Sequence, residues 1–273
     1  MASELKGVPT VNADPAESGP LIPDQRRELI LKHLRREQVL SFNQLSSLLD
    51  VSHMTIRRDV AVLEEEGRAV SVPGGAKIAS RLTVEPSHEE KVLVDSSEKT
   101  AMAAIAAAMV EDSMTIYLDA GTSMLAIVPL IAHVRDLTVV TNDVAIIREL
   151  IPHPTTEIIS IGGRVDKGNH STVGRLAAAM LRELAVDIAF ISTSSWDLTR
   201  GLTTPTESKV EVKQAAAAIS SETVLVAASS KYGTFGRFRA LNLADFDWII
   251  SDSGLNDNIV AGLSSLGVKV RRP

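Results

Sequence analysis

From Ser96 to the end of the chain, short apolar runs of strand length alternate with segments of helix length, and this alternation limits the fold more than any other feature. The runs are "MTIYLDA", "LTVVT", "TEIISIGG", "DIAFISTSS", "TVLVAASS" and "FDWIIS", with "VKVRR" as a candidate last strand. Between them lie "SSEKTAMAAIAAAMV", "TSMLAIVPLIAHV", "NDVAIIREL", "VGRLAAAMLREL", "ESKVEVKQAAAAIS" and "DNIVAGLSSLG", each expected as a helix. Repeated βα units bring parallel strands together through crossover helices, so residues 96–273 are expected to form an open, mainly parallel α/β sheet covered on both faces. Aromatic residues make up only 3% of the chain, which favours such a sheet over an aromatic-rich sandwich.

The preceding segment has a different rhythm. "DQRRELILKHLRRE" places Leu29, Ile30, Leu31 and Leu34 at helical spacing. "FNQLSSLLD" puts Leu45, Leu48 and Leu49 on one side of a short second helix that Ser41 can cap. After the tight "VS" connection, Ser52 is placed to cap a third helix whose Ile56, Val60 and Leu63 face inward. A rotation of about 100° per residue then turns Met54, Arg57, Arg58 and Ala61 outward, with Thr55 on the flank. "RAVSVPGGAKIA" reads as a small hairpin around a Pro-Gly-Gly turn. Three helices and a wing make a winged helix-turn-helix over residues 21–78. Residues 79–95 are expected as a linker and residues 1–20 as a flexible tail.

The chain carries a net charge of −6, so total charge announces no nucleic acid, but its distribution does. Residues 21–80 hold nine basic against eight acidic side chains and residues 81–273 hold 18 against 23, with the basic groups of the first part clustered. Arg57 and Arg58 are expected on phosphates, and Ser52, His53, Met54 and Thr55, in the first turn, on base edges of a double-stranded operator in the major groove. The bland alternative pairs the arginines with Glu37, Asp59 or the "EEE" run; the neighbouring hairpin and short helices favour the groove.

A second set of polar residues lies at strand ends, where open α/β sheets bind ligands. "YLDAGTS" supplies Asp119, Gly121, Thr122 and Ser123, "VVTND" supplies Thr141 and Asn142, and "ISIGGR" supplies Gly162, Gly163 and Arg164. "TPTESKVEVK" carries Glu207, Lys209 and Lys213, and "AASSKYG" carries Lys231. Any one such loop is ordinary capping chemistry; several in succession point to an anion-binding site.

With no cysteine in the chain, disulfides, thiolate metal sites and a cysteine nucleophile are excluded, and a reducing compartment fits. "MASELKGVPTVNADPAESGP" lacks the layout of a secretion signal, and no apolar run approaches the roughly 18 to 20 residues of a membrane span, so a cytoplasmic protein without membrane contact is expected. The six histidines show no metal-ligand spacing, and no Walker or dinucleotide fingerprint is present, so neither a metal nor a cofactor is expected.

"VSHMTIRRDVAVLEEEG" followed by "VPGGA" resembles the DNA-binding signature of DeoR-type bacterial transcription regulators, on Ser52, Thr55, Ile56, Arg57, Arg58, Asp59, Leu63, Gly74, Gly75 and Ala76. Ser71 stands where an arginine is common and Pro73 where a histidine is common. The D-x-G-T, T-N, G-G and S-K-[FY]-G landmarks of the second half resemble the effector domain of the same family, itself similar to sugar-phosphate isomerases. The resemblance implies a regulator, most often a repressor of carbohydrate metabolism, that senses a phosphorylated sugar or related metabolite through Asp119, Gly121, Thr122, Ser123, Thr141, Asn142 and Lys231. Ala228 replaces a common aspartate, and "ISTSSWD" replaces a glycine-bearing strand end. Operators are read by paired modules, which implies a homo-oligomer of at least two chains. The rival reading is a phosphosugar isomerase with Asp119 or Glu207 as general base and Lys231 as electrostatic stabiliser. A groove-binding helix has no part in that chemistry, so no catalytic residue is assigned.

Overall fold

The computed structural model describes residues 21–273; the tail expected over residues 1–20 lies outside the described residues. The N-terminal half runs α1 (Pro23–Glu37), β1 (Val39–Ser41), α2 (Phe42–Leu49), α3 (His53–Glu65), β2 (Ala69–Val72) and β3 (Gly75–Ile78). Pro23 opens α1, where its missing N–H is harmless. Ser41 and Gln44 close a capping box on α2, and Asp50 ends that helix in the left-handed region, turning the chain sharply toward α3. Ile30, Leu34, Leu45, Ile56 and Leu63 are fully buried in one core. Leu48, expected inside, is 52% exposed because Leu45 and Leu49 already fill the inward side of this two-turn helix. The wing pairs Val72 with Gly75 around Pro73–Gly74, and β1 adds a third antiparallel strand.

The stretch expected as a linker is folded. It contains β4 (Ser80–Arg81) and α4 (His88–Leu93), the latter capped by Ser87 and Glu90. The α/β half follows with α5 (Ser96–Ala107), β5 (Thr115–Leu118), α6 (Thr122–Leu125), α7 (Val128–Ile131), β6 (Thr138–Thr141) and α8 (Val144–Leu150). Next come β7 (Glu157–Ser160), the hairpin β8 (Arg164–Asp166) and β9 (Ser171–Val173), α9 (Arg175–Leu181) and β10 (Val186–Ser192). Then follow β11 (Ser195–Asp197), β12 (Gly201–Thr204), α10 (Val210–Ala218), β13 (Ser220–Val226), β14 (Thr234–Phe235) and β15 (Phe238–Leu241). β16 (Trp248–Ile250), α11 (Asp257–Ser265) and β17 (Lys269–Arg271) complete the chain. The single helix expected over 122–134 is broken into α6 and α7, because Pro129 cannot donate and its ring would collide with the carbonyl four residues earlier.

Seven strands form one sheet in the order β17-β16-β13-β10-β5-β6-β7, and every pair in it is parallel. Ala-rich α9 and α10, with α11, cover one face, and α5 to α8 cover the other. Chain order reverses direction between β5 and β10, which leaves a crevice at their carboxyl ends. A small antiparallel sheet, β11-β12-β15, stands over that side of the lobe.

Candidate functional site

Two surfaces carry the polar residues singled out in the sequence. On the first, Ser52 caps α3 by accepting from Thr55 N at 3.2 Å, and its hydroxyl lies 2.9 Å from that of Thr55. Both hydroxyls thus already have a partner in the turn. His53, Met54, Arg57 and Arg58 are exposed along the outer face, and Met54 is 62% exposed. Among the described residues neither arginine has an ion-pair partner. Asp59, which could have taken one, is buried and bound instead by Arg26, clasping α3 to α1. The Arg57 guanidinium lies 5.1 Å from the centre of the Phe42 ring, which steadies it without neutralising it. A groove-sized helix with two uncompensated guanidiniums and an open N-terminal turn is the geometry that docks on duplex phosphates.

The wing faces the other way. Val70 joins the core of the α/β half beside Tyr232, Lys77 Nζ donates to Ser230 O at 3.2 Å, and Arg200 bridges Asp197 and Gly67 O. β4 pairs in parallel with β14, which ties the connecting segment to the larger lobe through its backbone.

The second surface is a polar cavity in the crevice between β5 and β10. A tight inner lobe opens into an outer one of about 220 Å3, and both share Glu85, Ala120 and Ser192 to Ser194. Asp119, Asn142 and Lys209 line the inner lobe; Gly121, Thr122, Ser123 and Lys231 line the outer. Seven of the ten residues expected to hold a ligand therefore meet in one place. Thr141 does not: it is fully buried, donating to Leu118 O and accepting from Asp143 N. Gly162 and Gly163 are exposed beyond β7 and line neither lobe, their role being to turn the chain toward β8. Glu207, a base in the isomerase reading, is exposed and outside both lobes.

Asp119 is occupied. It accepts from Ser192 N at 3.0 Å, from Ser192 Oγ at 3.1 Å and from Tyr117 OH at 3.4 Å, and it forms a buried ion pair with Lys213. Lys213 also donates to Ser192 O at 2.7 Å. The pair braces the cavity floor. Tyr117, wholly buried between these groups, has its phenol held well above its ordinary value by burial and then by Asp119. Lys209 is paired with Glu85. Burial alone would raise Glu85, but the charges of Lys209 and Lys91 outweigh it and hold the carboxyl at about 2.

The outer lobe keeps its capacity. Ser123 Oγ is buried with no hydrogen-bond partner among the described residues, and the first-turn N–H groups of Thr122 and Ser123 lack the acceptors that an interior turn would supply. Lys231 Nζ donates to Thr193 O at 2.8 Å; burial, with Lys99 and Lys91 nearby, pushes its pKa down to about 8. A cation, a hydroxyl and two amides converging on one space suit a phosphate or carboxylate. Sequence reasoning missed Glu85 and Lys91, which enter from the connecting segment. The "ISTSSWD" strand end, singled out as a departure from the family pattern, does shape the cavity through Ser192 to Ser194, whereas Trp196 lines neither lobe.

An exposed groove helix beside a wing, joined to an α/β lobe with a polar cavity at its strand ends, defines a two-part transcription regulator that binds DNA. Residues 26–81 match the DeoR-like helix-turn-helix domain and residues 94–253 match the DeoR C terminal sensor domain. An HTH-type transcriptional regulator of Haemophilus influenzae is 44% identical over 250 residues, covering 92% of this chain and 97% of that protein. The transcriptional repressor AccR of Agrobacterium fabrum is 31% identical over 230 residues, covering 84% and 89%. The chain belongs to the DeoR family of transcriptional regulators. Among solved structures, ribose 5-phosphate isomerase A of Methanocaldococcus jannaschii aligns over 50% of this chain and 55% of its own, with 15% identity and a TM-score of 0.37. No helix of the described residues is long and apolar enough to cross a membrane.

Proposed function

We propose that this chain is a cytoplasmic repressor of a carbohydrate operon, released or engaged by a phosphorylated sugar or a related sugar acid bound in the outer lobe. In this reading α3 lies in the major groove, with Arg57 and Arg58 on phosphates and His53 and Met54 nearest the base edges, flanked by Ser52 and Thr55. Thr122, Ser123 and Lys231 hold the anionic group of the effector, and the Asp119–Lys213 brace keeps the floor in register. Two chains present paired helices to a two-fold operator.

The observation that carries this reading is the loop Ser229 to Gly233. Ser230 and Lys231 form part of the cavity wall, while Ser230 O accepts from Lys77 of the wing and Gly233 lies against Val70. A ligand that pulls on Lys231 thus acts on the wing's footing over one short segment. If it favours one wing position, operator affinity changes by the ratio of its affinities for the two positions. The isomerase alternative loses both of its bases, one to Lys213 and one to the surface.

The test is operator binding as a function of salt. Arg57→Ala and Arg58→Ala should each lower the log K against log salt slope by about one unit and weaken binding evenly across sequences. A slope equal to the parent's would remove the arginines from the phosphates and the reading with them.

A further inference from the structure

His88, the first residue of α4, and His170, in the turn between β8 and β9, stack with ring centroids 4.7 Å apart at 23°. Glu89 reaches the same place, its Oε1 3.3 Å from His170 Nε2. One donor atom from each of the three lies within 4.8 Å of the others. None of the three lines the cavity or the outer face of α3.

Three features set this cluster apart from a chance surface pair. His88 is only 7% exposed, yet its Nε2 has no hydrogen-bond partner, a state that buried polar atoms rarely keep. His170 holds φ +50, a conformation uncommon for a residue with a side chain. Both backbones are anchored: His88 N donates to Gly168 O at 2.9 Å, and His170 O accepts from Val144 N at 2.9 Å.

We propose that His88, His170 and Glu89 form a three-ligand site for a divalent first-row cation of the zinc type, which clips α4 to the β8–β9 turn. Two imidazoles and one carboxylate are a donor set that suits such ions and leaves a fourth position for water. Tetrahedral coordination brings donor atoms to roughly 3.3 Å from one another. Glu89 Oε1 and His170 Nε2 already stand at that separation, so coordination requires only that the His88 donor and this pair close on each other. Linear spacing hid the site because its two imidazoles come from separate elements. Beside it, Lys91 of α4 bonds Asn169 and Glu85, so an ion here stiffens one wall of the cavity.

The experiment uses the full chain without a polyhistidine tag, stripped by a chelator and titrated with Co2+ and then Zn2+. The expected result is one Co2+ per chain with visible ligand-field bands, displacement by Zn2+, and a melting temperature that rises with Zn2+ concentration. His170→Asn, which tolerates the left-handed backbone, should abolish the bands, and Glu89→Gln should weaken affinity at least about tenfold. Unchanged far-UV circular dichroism in both variants separates ligand loss from misfolding. A parent chain without bands, or bands that persist in folded His170→Asn, overturns the site.

Discussion

Replacing Asp119 by asparagine keeps the volume of the side chain and removes its charge, leaving Lys213 buried without a counter-charge. Asp119 is 3% and Lys213 6% exposed, so the stranded ammonium is poorly solvated. Removing one member of a buried pair costs about 3–5 kcal/mol, a large part of the roughly 5–15 kcal/mol by which domains are stable. At about 2–4 °C per kcal/mol for a chain of this size, the melting temperature should fall by on the order of 10 °C. Adding Lys213→Met deletes the stranded charge and should recover more than half of the loss, a coupling that a double-mutant cycle reads directly. Trp196 and Trp248 both lie in the α/β half, so urea unfolding followed by tryptophan fluorescence reports on the lobe that holds the pair. A single variant that loses less than about 1 kcal/mol, or a double variant as unstable as the sum of the singles, would show that the pair does not brace the floor.

Gly233→Ala would set a new methyl 1.9 Å from Val70 Cγ2 at a residue with φ +76, so the wing must move off the lobe; hydrogen exchange in β2 and β3 should speed up, and unaltered protection would refute the contact. Lys231 titrates at about 8 in the folded chain, below the ordinary 10.5, so between those values the unfolded chain binds more protons and stability rises with pH. Denaturant midpoints measured across that window should climb in the parent and flatten in Lys231→Met; parallel curves would place the lysine in water. Affinity for an anionic sugar derivative should fall above pH 8 for the same reason, as calorimetry would show.

The sheet was legible because its strands are buried on both faces and read as continuous apolar runs, and the α3 face because Ile56, Val60 and Leu63 fix its rotation. The cavity was legible where it uses strand-end loops, as at Asp119 to Ser123. It was not legible where partners meet across the fold: Lys213 was one of four charged residues in "TESKVEVK", and nothing local marks it as the partner of Asp119. The stretch 79–95 read as a linker because it is polar and contains Pro86, yet Glu85 is largely enclosed and paired with Lys91 of α4 and with Lys209 from the far side of the chain. Helical periodicity over 122–134 was real, but Pro129 divides it.

The backbone pairing of β4 with β14, together with the ion pairs of Glu85, has a practical corollary. Cutting the chain at Ser96 to obtain an isolated sensor would strip away Glu85 and Lys91, leave Lys209 without its main counter-charge, and expose the edge of β14. Such a fragment would present a wider and more basic mouth than the intact protein, and ligands ranked against it would be biased toward multiply charged anions.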